Sequence, residues 1–104
     1  MGFRPKRTPF KLDFSGTECE GLEITVRPVP QAVMVDVIEA MGSGDLAAAK
    51  HMYATFAYAL ESWNVEDDDG TPVTADLDGL MAQDSRFVTA VIQAWTAAIG
   101  RANQ

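Results

Sequence analysis

Two short runs near the start of the chain alternate between apolar and polar residues. Residues 10–14 read FKLDF, with Phe10, Leu12 and Phe14 at every second position. Residues 22–27 read LEITVR and repeat the alternation. A period of two places apolar side chains on one side of a strand, and a glycine-containing loop joins the two runs, so they predict a β-hairpin. A lone hairpin is only marginally stable in water, so it must lie on helices or pair with another strand.

The next two runs follow the helical period. Residues 31–41 form the first predicted helix, which Gly42-Ser43-Gly44 ends. The second predicted helix runs from Leu46 to Trp63, with Asp45 as its N-cap. Apolar residues line one side of each helix. They are Val33, Met34, Val37, Ile38 and Met41 in the first, and Leu46, Ala49, Tyr53, Phe56, Leu60 and Trp63 in the second.

Polar and acidic residues follow the second helix. Residues 64–74 read NVEDDDGTPVT and predict a small hairpin with Asp69-Gly70 at its tip. A short helix is expected to start at Thr74 or Asp76 and to reach Met81, although the glycine within it weakens the helical tendency.

The last predicted helix spans residues 86–99, with Asp84 or Ser85 as its N-cap and Gly100 just past its C-terminus. Strands come first along the chain and helices follow. This order favours an α+β fold, with an N-terminal β-hairpin followed by a mainly helical part of three to four helices.

The length of 104 residues predicts a single domain. We expect a flexible basic arm over residues 1–9, the α+β domain over residues 10–100 and a C-terminal tail over residues 101–104. The longest stretch without a charged residue is residues 87–100, which is shorter than the roughly 20 apolar residues of a membrane span. The sequence therefore predicts no membrane association.

Charge is unevenly distributed along the chain. Fifteen acidic residues against eight basic ones give a net charge of -7. Nucleic-acid binders neutralise phosphates with Lys and Arg, so this balance argues against a nucleic-acid partner. Arg4, Lys6, Arg7 and Lys11 all precede the first acidic residue, Asp13. This basic segment is either a contact point for an acidic partner or a solvated terminus.

The sequence has few cysteine and histidine residues, two types that act in catalysis or bind metal ions. The single cysteine, Cys19, and the single histidine, His51, offer neither zinc-ligand spacing nor a nucleophile and base pair. The acidic run 66–70 partly fits a calcium loop, but with Gly70 at position 6 the first ligand position falls on Val65. The sequence predicts no enzyme, no cofactor and no metal site, and it favours a solvated turn over a cation site at residues 66–70.

The apolar and aromatic helix residues indicate protein binding. A domain of this size leaves some apolar surface uncovered, and exposed apolar patches often mark protein interfaces. The candidate contacts are Phe87, Val91 and Trp95 on the last helix, with Tyr58 and Met52 on the second. The alternative is that these stripes are ordinary core.

Four strings cover most of the chain from Phe10 to Ile99. They are FKLDF, EGLEITVRPV, LESWNVEDDDGTPVTADLDGL and RFVTAVIQAWTAAI. In these strings the chain resembles the small tail assembly chaperones of long-tailed phages of actinobacteria. The third string is the most specific, because Trp63-Asn64-Val65 leads into an acidic turn that Gly70 closes before Thr71-Pro72-Val73.

The resemblance implies a function and its partners. Such chaperones bind the tape measure protein, keep it soluble, and help to recruit the tail tube protein. The chain would then act in the host cytoplasm, possess no cofactor, and be absent from the mature virion, with a homo-oligomer as one possible state. Two alternatives stay open: a structural tail or neck subunit retained in the virion, and a small protein-binding regulatory module.

Overall fold

The computed structural model describes residues 2–102 of the chain, and side chains over residues 2–99. Over residues 2–102, three short strands and four helices confirm the predicted α+β class with its N-terminal hairpin. In chain order the elements are β1 (Phe10–Lys11), β2 (Ile24–Val26), α1 (Gln31–Ser43), α2 (Leu46–Ala59), β3 (Leu60–Trp63), α3 (Leu77–Met81) and α4 (Ser85–Ala102).

The strands form one antiparallel sheet in the order β1-β2-β3. Phe10 lies opposite Val26, and the Leu12 N–H donates to the Ile24 carbonyl at 2.9 Å, so the predicted hairpin is present. Both strands are shorter than the alternating runs that predicted them. The alternation still decides burial, since Leu12 and Phe14 lie in the core although they follow the last residue of β1.

The second helix ends at Ala59, four residues before its predicted end, and the chain continues as β3. Trp63 lies opposite Ile24, and the Arg27 N–H donates to the Ala59 carbonyl at 2.7 Å. Without β3, one edge of β2 would leave its backbone groups without strand partners. Leu60 is buried in the strand, and a helix through this position would bury it too. The apolar spacing therefore could not distinguish a strand from a helix here.

Helix ends follow local signals. The Asp45 carboxylate caps α2 by accepting from the Ala47 N–H at 3.1 Å. The Asp84 carboxylate accepts from the Arg86 N–H at 2.8 Å at the start of α4. Gly44, with φ of 68°, ends α1 in the left-handed conformation that glycine adopts without steric cost.

The last helix continues past its expected end. Gly100 does not terminate α4, which runs to Ala102, so the prediction that the helix stops at residue 99 is wrong. Two of the four residues of the expected C-terminal tail, 101 and 102, belong to this helix. The other two, 103 and 104, lie outside the described residues.

One hydrophobic core joins the sheet to the helices. Phe56 on α2 and Trp95 on α4 meet edge to face, with ring centroids 5.3 Å apart and planes inclined by 69°. The buried apolar residues are Leu12, Phe14, Ile24, Val26, Met34, Val37, Phe56, Ala59, Leu60, Leu80, Val88, Val91, Ile92, Trp95 and Ile99.

The segment before β1 lies outside this core. Residues 2–9 are exposed and without helix or strand, and Phe3 is 88% exposed. The molecule measures 52 × 33 × 26 Å, with a radius of gyration of 14.3 Å. A compact chain of this length has a radius of roughly 13 Å, so the molecule is extended for its length. We call residues 2–9 the arm.

Candidate protein-binding surface

Two of the predicted contact residues lie in the core. Val91 and Trp95 are both 0% exposed, and the Trp95 ring is covered by Phe56. A partner cannot reach either side chain in this conformation. At Val91 and Trp95, the stripe on α4 that predicted a binding surface faces the core of its own domain.

The other three predicted residues are accessible but lie apart. Tyr58 on α2 is 78% exposed. Met52, also on α2, is partly buried and lines a groove between helices. Phe87, near the start of α4, is partly buried and lines a different groove. The structure does not bring these three side chains together into one site.

An apolar surface that the sequence did not single out lies on α1. Ile38 and Met41 are each 54% exposed, and Val35 is 41% exposed on the same helix. Leu46, at the start of α2 after the turn, is 71% exposed. Val35, Ile38, Met41 and Leu46 together are called the α1 patch. Ile38 and Met41 belong to the predicted apolar stripe of the helix, but the core does not cover them.

The exposure of the patch follows from the composition of α1. Met34 and Val37 are buried in the core, and the helix packs on α2 and α4. Apolar residues extend around the helix well beyond the stripe that such packing can cover. This excess of apolar positions in the sequence indicates that α1 has apolar residues outside the side that the core covers.

Met41 also lines a groove between the helices. The groove has a volume of about 230 Å³, and Met52 and Tyr53 of α2 and Ile92 of α4 form its other apolar walls. Thr89 and Thr96 of α4 lie at its polar side. The α1 patch is therefore continuous, through Met41, with a concave apolar surface rich in methionine, and Met52 is the predicted contact residue that belongs to it.

Acidic side chains flank the patch. Asp36 and Glu39 lie on the adjacent side of α1, and Asp45 lies in the turn before α2; all three are exposed. The patch thus combines an apolar centre with a negatively charged border, a composition that keeps an exposed apolar surface hydrated at its rim.

A second and larger groove runs between the hairpin loop and α4. Its volume is about 700 Å³, and we call it the α4 groove. Its apolar walls are Phe14 and Cys19 from the loop side and Phe87, Ala90, Ala94 and Ala97 from α4. Three acidic residues and one basic residue also line it: Asp13, Glu18, Asp84 and Arg86.

The acidic run 66–70 forms the predicted hairpin turn. Glu66 pairs with Pro72, and the Asp67 N–H donates to the Thr71 carbonyl at 2.8 Å. The Asp69 carboxylate accepts from the Thr71 N–H at 3.0 Å, and this hydrogen bond lowers the pKa of Asp69 below its ordinary value of 3.8. The carboxylate of Asp69 therefore serves the turn itself.

Candidate groups for metal or catalytic chemistry do not converge over residues 2–99. No cluster of three or more His, Cys, Asp or Glu side chains in that range is placed to hold a metal ion. Cys19 lines the α4 groove, whereas His51 lines a different groove between α1 and α2.

None of the helices within residues 2–102 combines the length and apolar character that crossing a membrane requires. Comparisons of the chain with models of protein families, with curated proteins and with solved structures found no match.

Proposed function

We propose that this protein is a phage tail assembly chaperone that binds an apolar helical segment of the tape measure protein on the α1 patch. One observation carries the proposal: Ile38, Met41 and Leu46 keep more than half of their surface exposed although they lie next to a well-formed core. Such exposure costs free energy in water and is typical of a surface that a partner covers.

The shape of the surface suits a helical partner. An amphipathic helix docks in a groove through apolar residues at positions i, i+3, i+4 and i+7. The groove beside Met41 offers an apolar floor, and Met41 and Met52 have flexible side chains that repack around different partners. Covering apolar surface yields about 25 cal/mol per Å², so a few anchors suffice for reversible binding.

The charge of the protein supports the same role. A net charge of -7 keeps a complex with an apolar partner dispersed through mutual repulsion. By this proposal the complex also recruits the tail tube protein, acts in the host cytoplasm, and leaves before the virion is complete.

Co-expression with the tape measure protein of the same genome tests the proposal. We expect the partner to be soluble and to co-purify with the unmodified chain. Ile38→Glu and Met41→Glu should each abolish co-purification, because a carboxylate in an apolar contact must be desolvated. The matched control is Ala32→Glu, which adds the same charge to the exposed side of α1 that carries Asp36 and Glu39.

Other outcomes would contradict the proposal. A tape measure protein that precipitates beside the soluble chain would remove the chaperone role. If the chain instead forms a ring and remains in purified virions, it is a structural tail or neck subunit. If Ile38→Glu and Met41→Glu both leave co-purification unchanged, the α1 patch is not the contact surface.

A further inference from the structure

The arm and the α4 groove have complementary chemistry. The arm carries Phe3 and the basic residues Arg4, Lys6 and Arg7, with no acidic residue. The α4 groove has an apolar floor that includes Phe14, Phe87 and the alanines of α4, and three of the four charged residues along it are acidic. A basic segment with one large aromatic side chain thus matches a negatively bordered apolar groove.

The dimensions also agree. Phe87 and Ala97 mark the groove along α4 and are ten residues apart, which corresponds to roughly 15 Å of helix. Extended chain spans about 3.3 Å per residue, so the segment from Phe3 to Arg7 covers roughly 13 Å. The groove volume of about 700 Å³ is within the range of roughly 300–1,000 Å³ that is usual for sites enclosing a ligand.

The direction of β1 favours a second copy as the source of the arm. The chain runs from the arm through Phe10–Lys11 to Asp13 and Phe14, which line the groove. The arm therefore leaves the strand at the end away from the groove of its own chain. To fold back it would have to reverse direction at Thr8 and Pro9, immediately before the strand begins.

We propose that the α4 groove binds the arm of a second copy of this chain, with Phe3 in the apolar floor and Arg4, Lys6 and Arg7 beside Asp13, Glu18 and Asp84. The protein then self-associates through arm exchange. The contact is electrostatic at its border, so salt weakens it. The α4 groove and the α1 patch share no residue, and the proposal does not depend on the chaperone role.

Cys19 makes the proposal testable, because it lines the groove and is the only cysteine of the chain. The full-length Arg4→Cys variant is oxidised as an equal mixture of ¹⁵N-labelled and unlabelled protein, and the cross-linked peptides are identified by mass spectrometry. We expect a disulfide between the new cysteine and Cys19 that joins labelled to unlabelled chains. The matched control is Ala47→Cys, an exposed position at the start of α2 that does not line the α4 groove.

Docking raises the effective concentration of the two thiols, so cross-linking through Arg4→Cys should exceed that of the control at least about tenfold. Adding Glu18→Lys should lower the yield, and pairing Glu18→Lys with Lys6→Glu should restore part of it. A disulfide within single chains would overturn the proposal, because the arm would then cover its own groove. A yield equal to that of Ala47→Cys would overturn it as well.

The two proposals fail separately. Cross-linking without co-purification of the tape measure protein would leave arm exchange standing and remove the chaperone role. Co-purification without cross-linking between copies would do the reverse. Thermal unfolding of each variant, followed by circular dichroism, excludes loss of the fold as the cause of either result.

Discussion

Trp95 and Phe56 are the largest fully buried side chains, and their edge-to-face contact ties α4 to α2. The Trp95 indole nitrogen is buried and has no hydrogen-bond partner among the described residues. A buried donor left unpaired costs about 1–3 kcal/mol, so the core gains from the volume of this ring and loses from its N–H group. At this position, the gain from burying the ring is larger than the cost of the unpaired N–H group.

Substitution of Trp95 separates these two effects. Trp95→Ala should lower the free energy of unfolding by about 3–5 kcal/mol, since it empties a large buried volume. Trp95→Phe should cost clearly less, because it keeps much of the ring and removes the unpaired N–H. Urea unfolding of the unmodified chain, Trp95→Ala and Trp95→Phe measures the change in the free energy of unfolding for each substitution. A Trp95→Ala protein as stable as the unmodified chain would contradict the assignment of Trp95 to the core and return it to the list of surface contacts.

At the element scale, local signals predicted most of the fold. The alternation of residues 10–14 and 22–27 gave the hairpin, Asp45 and Asp84 gave the starts of α2 and α4, and the Asp69-Gly70 turn formed as expected. The missing element was β3. Its spacing fits a helix equally well, and only pairing with β2, more than thirty residues earlier in the chain, selects the strand.

Two glycines in helices should respond oppositely to alanine. Gly42 lies within α1, and a Cβ there would meet nothing within 4 Å, so Gly42→Ala should stabilise the protein by about 0.5–1 kcal/mol. Gly79 is buried in α3, where a Cβ would overlap the Thr74 carbonyl oxygen. Gly79→Ala should therefore destabilise by about 1–3 kcal/mol through overpacking.

Thermal or urea unfolding distinguishes the two glycine variants, and each serves as the control for the other. The glycine that appeared to weaken α3 is, by this account, required for the close approach of the helix to residues 73 and 74. An increase in stability on Gly79→Ala would show that the approach is looser than the structure places it.

At the scale of the whole molecule, two features distinguish the surface. The α1 patch spans α1 and the start of α2 with acidic residues beside it, and the basic arm extends from the acidic body. The sequence predicted exposed apolar surface but placed it partly on Val91 and Trp95. Helical spacing predicts which residues share one side of a helix. Which side is buried depends on how the helix packs against the rest of the fold. For α1, packing covers Met34 and Val37 and leaves Ile38 and Met41 accessible.

The central claim is that the α1 patch binds an apolar helical segment, and NMR mapping tests it most directly. The ¹⁵N-labelled chain is titrated with a synthetic amphipathic segment of the tape measure protein. We predict saturable amide shifts in α1, at Leu46 and at Met52, which Met41→Glu abolishes and Ala32→Glu leaves unchanged. Absence of saturable shifts, or shifts confined to the α4 groove, would contradict the claim.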